Sequence, residues 1–393
     1  MVRIEETLFR HVGNLQYIRN PALDYGGLER ARRTIESSLD AMDIPYVSEP
    51  FTVDGFDEPF YNIDAEMGDR DKPVIYIGSH YDTAEHSPGA NDNASGTAVM
   101  LALADLLKPV QDRVHVRLLF FTLEEMNPTL ERLKIRMKRQ LGIIDDQHRF
   151  TKLPYQEDHR TFVEAMAQAS DGATSYAQQV ALAYAKIGSS LSQEMRTYLG
   201  WLADYAKGFQ DKLGFGDRAL IGSVNWVLKN QPEHAGCLGM IDLDSVGYCN
   251  DRPGTQIVPD GFEMTQDNSH LVNLDRPAGN FITVIESPGA DALAQAFLIE
   301  AKGRQLPTFH YACPYPYEVV AAAAPELLLA DHAPFWKRGI PCLFLTDTGG
   351  ECRYWYEHTP ADTFDKLDFT FMGRITLALR DAIQGLFEQG VVT

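Results

Sequence analysis

The chain has 393 residues, of which 45% are apolar and 23% charged, a globular composition with room for one large core carrying an insertion or for two domains. Its 55 acidic and 35 basic residues give a formal net charge of -20, which excludes the basic footprint that nucleic-acid binding requires. No window approaches the roughly 20 apolar residues of a membrane-spanning helix, so neither nucleic acid nor membrane is an expected partner.

The N-terminal stretch "MVRIEETLFRHVGNLQYIRN" has no apolar h-region. A cytoplasmic setting is therefore expected, or a secreted one if a leader precedes it. Leu28, Ala31, Ile35, Leu39 and Met42 recur at helical spacing and predict a helix over 28–42. "YVSEPFTV" and "FYNIDAEM" alternate as strands do. "PVIYIGSHYDT" is a continuous apolar run with a polar end, as expected of a central strand buried on both faces. A tight turn then leads into the predicted helix "ASGTAVMLALADLLK". "VHVRLLFFTLEE", "LGMIDLDSVG" and "IPCLFLTD" repeat the design of an apolar strand with an acidic C-terminal end, and helices are predicted over 291–302 and 371–389. This alternation predicts a three-layer α/β/α sandwich with a mixed, largely parallel sheet. In such sheets, sites form at the carboxyl ends of strands. The five cysteines, Cys237, Cys249, Cys313, Cys342 and Cys352, include no C-x-x-C pair and read as free thiols in a reducing compartment.

One region departs from the alternation. Between Asn127 and Asp217 only helical periodicity is visible, so the expected organisation is a catalytic α/β domain over 1–126 and 218–393, interrupted by an all-helical insertion over 127–217. Asn127 suits a helix cap, Pro128 the first turn and Gly142 a stop. Leu130, Leu133, Met137 and Leu141 form the predicted apolar stripe of the first inserted helix, set among Arg132, Lys134, Arg136, Lys138 and Arg139. Such a stripe must bury against the core or another subunit. The segment is therefore expected to be a lid, a homo-oligomerisation arm, or both.

The polar strand ends supply His80, Asp82, Asp92, Glu124, Glu125, Asp244 and His358, without a cysteine. Imidazole and carboxylate without thiolate fit a catalytic divalent ion such as zinc, and charge counting favours two ions. One carboxylate of the Glu124–Glu125 pair can then neutralise metal while the other remains free as a base. Taken from residue types alone, His332 competes with His358, and Asp242 with Asp244.

The segments "GSHYDT" and "SPGANDNASGTAVMLALADLL", together with "LADHAPFWKRGIPCLFLTDT" and "YEHTPADTFDKLD", resemble the signature of the co-catalytic di-zinc aminopeptidases, relatives of glutamate carboxypeptidase and glutaminyl cyclase. The resemblance implies one zinc on His80 and Asp244, another on Glu125 and His358, and Asp92 shared by both. It further implies Glu124 as general base and Asp82 as the residue orienting His80. A short peptide or amide is the implied substrate. Tyr354 and Tyr356 are candidates for oxyanion support, and Arg353 for reading a substrate carboxylate. The rivals are a glutaminyl cyclase-like acyltransferase and a non-catalytic scaffold with a peptidase fold. Two departures stand out. The family's G-L-x-G-S turn after the Glu pair is displaced to "ALIGS" at 219–223, and Ala330 precedes Asp331-His332 where Ser is common.

Overall fold

The computed structural model describes residues 3–169, 176–208, 211–212, 215–216, 218–257 and 277–388. The predicted insertion end at Asp217 and the last residue of the predicted C-terminal helix, Gln389, lie outside them. By contacts the chain divides into two units, one of Met1–Thr52, Glu58–Glu125 and Gly222–Thr393, the other of Val53–Asp57 and Met126–Ile221.

The first unit is built on eight strands: β1 (Tyr46–Phe51), β2 (Phe60–Gly68), β3 (Val74–His80), β4 (His115–Phe121), β5 (Cys237–Leu243), β6 (Ile282–Glu286), β7 (Thr308–Ala312) and β8 (Cys342–Thr346). Their order is β1-β2-β4-β3-β5-β8-β6-β7. The central strands β4, β3, β5 and β8 run parallel, whereas β1, β2 and β6 each make antiparallel pairings. β3 and β5 are buried along their whole length, which explains their unbroken apolar runs.

Helices cover both faces. The helices Ile4–Leu15, Gly96–Leu107, Asp291–Gly303 and Phe369–Glu388 pack together on one side. On the other, Trp226 of the Ile221–Asn230 helix stacks on Phe335, with ring centroids 5.4 Å apart, and both meet Tyr76 of β3. The predicted 28–42 helix starts earlier, at Pro21, where the Asn20 side chain accepts the Ala22 N–H.

β4 stops at Phe121, and the adjacent carboxylates lie just beyond it, after Leu123 in a left-handed turn (φ 57°). The displaced half of the split turn returns to this spot. Asn62 accepts from the Thr122 N–H and donates to the Gly222 carbonyl at 2.8 Å. A side chain at Gly222 would collide with the Thr122 carbonyl, so the small residue in "ALIGS" is required by backbone contact.

The second unit holds the helices Pro128–Gln140, Leu153–Ala169, Tyr176–Ile187 and Gln193–Ala206. Asn127 caps the first by accepting from Thr129 and Leu130 N–H groups. The buried stripe differs from the expected one. Leu130 is buried, but the face turned inward carries Glu131, Ile135 and Lys138 rather than Leu133, Met137 and Leu141. Basic character on this face is reconciled with burial by pairing: Glu131 bonds Lys134, and the Lys138 ammonium lies 5.7 Å from the centre of the Tyr198 ring. Val180, Ala183, Leu191, Met195, Tyr198 and Leu202 keep the predicted helical period and are buried. A short antiparallel pairing of Asp211–Lys212 with Phe215–Gly216 means that the unit is not all-helical. Residues 53–57 also belong to it, with the Arg132 guanidinium 3.4 Å from the centre of the Phe56 ring.

Candidate metal centre

His80 is the last residue of β3, and its side chain is 1% exposed. Its Nε2 lies 3.1 Å from Asp92 Oδ1, 3.5 Å from Asp244 Oδ1 and 3.9 Å from Glu124 Oε2. Asp92 sits in the turn before the Gly96–Leu107 helix, held there as its N–H and that of Asn91 donate to Asp362. Its other oxygen is 3.0 Å from His358 Nε2, which in turn is 3.1 Å from Glu125 Oε2. Ligand atoms of His80, Asp92 and Glu125 all lie within 4.8 Å of one another.

Asp82 ties the two halves together. One of its oxygens is 3.5 Å from His80 Nδ1, and its carboxylate accepts the backbone N–H groups of both Glu124 and Glu125. Glu125 Oε1 accepts from the Ala84 N–H at 2.7 Å, fixing that carboxylate's direction.

The electrostatics are those of a pocket short of positive charge. Burial pushes Glu124 well above the usual carboxylate range, against the pull of His80 and with a further push from Asp244 and Glu125. Burial and Asp92 raise Glu125 to about 7. Asp244 is raised by burial despite His80. Burial would also raise Asp92, but the neighbouring His358 and His80 imidazoles win and hold it well below its ordinary value. The imidazoles respond in kind: Glu124 and Asp244 lift His80 despite burial, and Glu125 above all lifts His358.

A divalent ion fits this donor set. Both ring nitrogens of His80 are buried without a hydrogen-bond partner, although carboxylate oxygens surround them. A divalent cation seated among these atoms would take the buried imidazole as a ligand and offset the crowded carboxylates. His and carboxylate oxygens are hard-to-borderline donors that suit zinc and its neighbours.

The sequence profile of peptidase family M28 matches residues 62–187 and 216–383. The chain belongs to peptidase family M28. Aminopeptidase YwaD of Bacillus subtilis is 47% identical to this M28 peptidase over 53 residues, a stretch covering 14% of the chain and 12% of YwaD. Among solved structures, a leucine aminopeptidase precursor from Bacteroides thetaiotaomicron aligns with a TM-score of 0.53 at 12% identity, covering 97% of this chain and 96% of that one. Fimbriiglobus ruber glutaminyl cyclase aligns with a TM-score of 0.51 at 15% identity, covering 97% and 94%. At such identities these likenesses speak for the M28 fold, whose mixed sheet with helices on both faces is the one described above.

The competing residues of the M28 chain pair with each other instead. Asp242 Oδ2 accepts the His332 N–H at 2.8 Å and lies 3.2 Å from its Nδ1, while His332 Nε2 is 2.9 Å from the Leu327 carbonyl. Both side chains are buried, and the imidazole stacks on Phe344.

Two expectations need correction. Arg353 is 1% exposed; its Nε donates to Gln256 and its Nη1 to the Phe281 carbonyl, with the guanidinium over the Phe281 ring. Its guanidinium is thus engaged inside the fold rather than on an exposed surface. Tyr354 is fully buried, and its hydroxyl donates to Asp362 at 2.7 Å. It therefore steadies the carboxylate that holds the Asp92 backbone rather than facing a substrate. Tyr356 is 38% exposed and remains accessible.

Sequence reasoning passed over Asp362, Asp347 and Glu357. Asp347 accepts from the Asn91 side chain and the Tyr248 N–H. Glu357, next to His358, shares its surroundings with Asp92, Asp244 and Asp347, and side chains at Gly349 or Gly350 would overlap its carboxylate. The motifs "TDT" and "YEHTPADT" contained all three, but spacing alone does not separate a ligand from the residue that steadies it.

Proposed function

We propose that this M28 chain is a two-metal aminopeptidase acting on short peptides, with zinc as the resident ion. The reading rests chiefly on the buried His80 ring, whose nitrogens make no hydrogen bond although Asp92, Glu124 and Asp244 surround it. In it, His80 and Asp244 hold one ion, Glu125 and His358 the other, and Asp92 is shared. Bound divalent ions supply Lewis acidity to a scissile carbonyl and to water.

The chain's own residues do the rest. Glu124 receives the proton released as water attacks, then delivers it to the leaving amine. Asp82 keeps Glu124 and His80 in register through its contacts to both. Glu357 is the group assigned to the free substrate amine. Its carboxylate neighbours Asp92 and Asp244, and no lysine or arginine pairs with it among the described residues. A substrate ammonium would offset that crowding.

The test is a released-product screen on metal-loaded protein against free-amine dipeptides, N-acyl amino acids and N-terminal Gln peptides, with Glu357→Gln alongside the wild type. Free-amine dipeptides should be cleaved in preference, and Glu357→Gln should raise KM for them by about tenfold, the order expected for one lost charge-assisted contact. Cyclised Gln peptides as the main product would support the second reading, a glutaminyl cyclase-like acyltransferase, which the shared fold of the Fimbriiglobus ruber enzyme keeps in play. No product from any class, with no metal bound, would leave the scaffold reading.

The insertion follows Glu125 directly in the chain. We assign it the control of substrate size, through a lid or a homo-oligomer contact, because elements at strand ends commonly carry specificity. Replacing Asn127–Asp217 by a short Gly/Ser linker should increase cleavage of long relative to short peptides or change the mass in solution. A folded variant with neither change removes this assignment.

A further inference from the structure

The link between the Ile4–Leu15 and Pro21–Ala41 helices carries a fully buried arginine, Arg19. Among the described residues its guanidinium donates only to backbone carbonyls. Nε reaches Tyr81 at 2.8 Å, Nη2 reaches Gly89 at 3.0 Å, and Nη1 reaches Pro88 at 2.9 Å, Tyr17 at 3.2 Å and Leu15. No carboxylate is in ion-pair contact with it among the described residues. The adjoining chain adds two bonds: the Arg19 N–H donates to Thr83 Oγ1 and the Asn20 side-chain amide to the Thr83 carbonyl, each at 3.0 Å.

Apart from the Leu15 and Tyr17 carbonyls of its own segment, these acceptors fall in two places. Tyr81 and Thr83 flank Asp82 and follow His80. Pro88 and Gly89 lead into Asp92. One planar cation therefore ties together the two limbs of the loop that separates His80 from Asp92. The packing at the tie is close: Gly89 has φ 61°, and a side chain there would lie 2.7 Å from the Arg19 guanidinium.

Burying a cation without a contact counter-ion is expensive, and an apolar side chain would fill the space more cheaply. Asp362, Asp82 and Asp92 offset the charge from farther away. The geometry points to Arg19 as a positioning residue that sets the separation of His80 and Asp92 and thereby the affinity of the metal centre. The inference rests on the metal reading above. It also draws residues 3–61, which precede the region matched by the family profile, into the support of the site.

Lysine cannot substitute, because its donors radiate from one atom whereas the guanidinium fork spans carbonyls on both limbs. The experiment is competition for zinc between the protein and a calibrated chelator, with melting of the metal-free protein measured in parallel. Arg19→Lys should bind zinc about 10–100-fold more weakly, the usual cost of losing support behind metal ligands, while the metal-free melting temperature changes little. Arg19→Ala should regain affinity when guanidinium ion is added at concentrations too low to denature. If the arginine variants do not fold, Asn20→Ser decides: it keeps a helix cap, drops the bond to the Thr83 carbonyl, and should still weaken zinc binding measurably. Wild-type affinity in Arg19→Lys, or in Asn20→Ser when that variant has to decide, overturns the inference, as does a loss of metal-free stability that accounts for the whole change. A wild-type chain that takes up no zinc overturns the metal reading and this inference together.

Discussion

Glu124→Gln is expected to keep its fold and its metal and to lose turnover by roughly 10²–10⁴-fold, the range attributed to a positioned general base. The substitution conserves shape but removes basicity. Glu124 is 8% exposed, and its backbone N–H is fixed by Asp82, so glutamine has little freedom to move elsewhere. Its carboxyl oxygen stands 3.9 Å from His80 Nε2, farther than either Asp92 or Asp244, which accords with the proposed role of base rather than ligand. Its elevated proton affinity in this crowded pocket is a further qualification for that work. Metal content and rate must be measured on the same preparation. Retained rate would remove Glu124 as the base, and lost metal would make it a ligand.

Chelation is expected to abolish turnover and to lower the melting temperature, by a margin that widens between about pH 5.5 and about pH 8. The sign follows from the raised proton affinities. Glu125 titrates at about 7 in the metal-free fold against an ordinary 4.5, so between those values the folded chain holds a proton that the unfolded chain has released. Stability contributed in this way is full at low pH and fades as pH rises through the window. His80 and His358 are raised above their ordinary 6.5, and they extend the decline at higher pH. Metal binding displaces these same protons and so strengthens as they leave. Comparing loaded with metal-free protein at each pH cancels titrations elsewhere, such as that of His11, which burial lowers to about 4. A gap that is constant or narrows with pH would contradict the proposed ligand set.

The parts of the fold that were legible in sequence are those where burial leaves a mark on composition. β3 and β5, buried on both faces, appear as unbroken apolar runs, and their ends deliver His80 and Asp244 to the crevice. β6 and β7 went unnoticed, because "ITVIE" and "TFHYA" are five residues each and carry Glu286 and His310, which pair with one another at 2.7 Å. A polar pair across neighbouring strands is invisible until the strands are side by side. The first inserted helix was recognised from its cap, yet its inward face was misjudged, because Lys138 and Glu131 are buried through partners that no periodicity reveals. Among site residues, strand-end position and motif singled out the clustered set. Residue types alone left Asp242 beside Asp244 and His332 beside His358, the resemblance chose Asp244 and His358, and in the structure Asp242 and His332 pair with each other. Arg353 and Tyr354 misled for the converse reason, since proximity to His358 in sequence said nothing about which way their side chains turn.

The Asn127 N–H meets the Arg218 carbonyl at 2.5 Å, so the inserted segment leaves and returns through one narrow neck. To the first unit, which resumes at Gly222, the whole excursion is one long loop, and the entropy of closing such a loop grows only with the logarithm of its length. The architecture is thus that of a socket. Evolution or an engineer can exchange the cargo between Glu125 and Gly222 for another of different size, charge or self-affinity, while the half-motifs on either side keep finding each other.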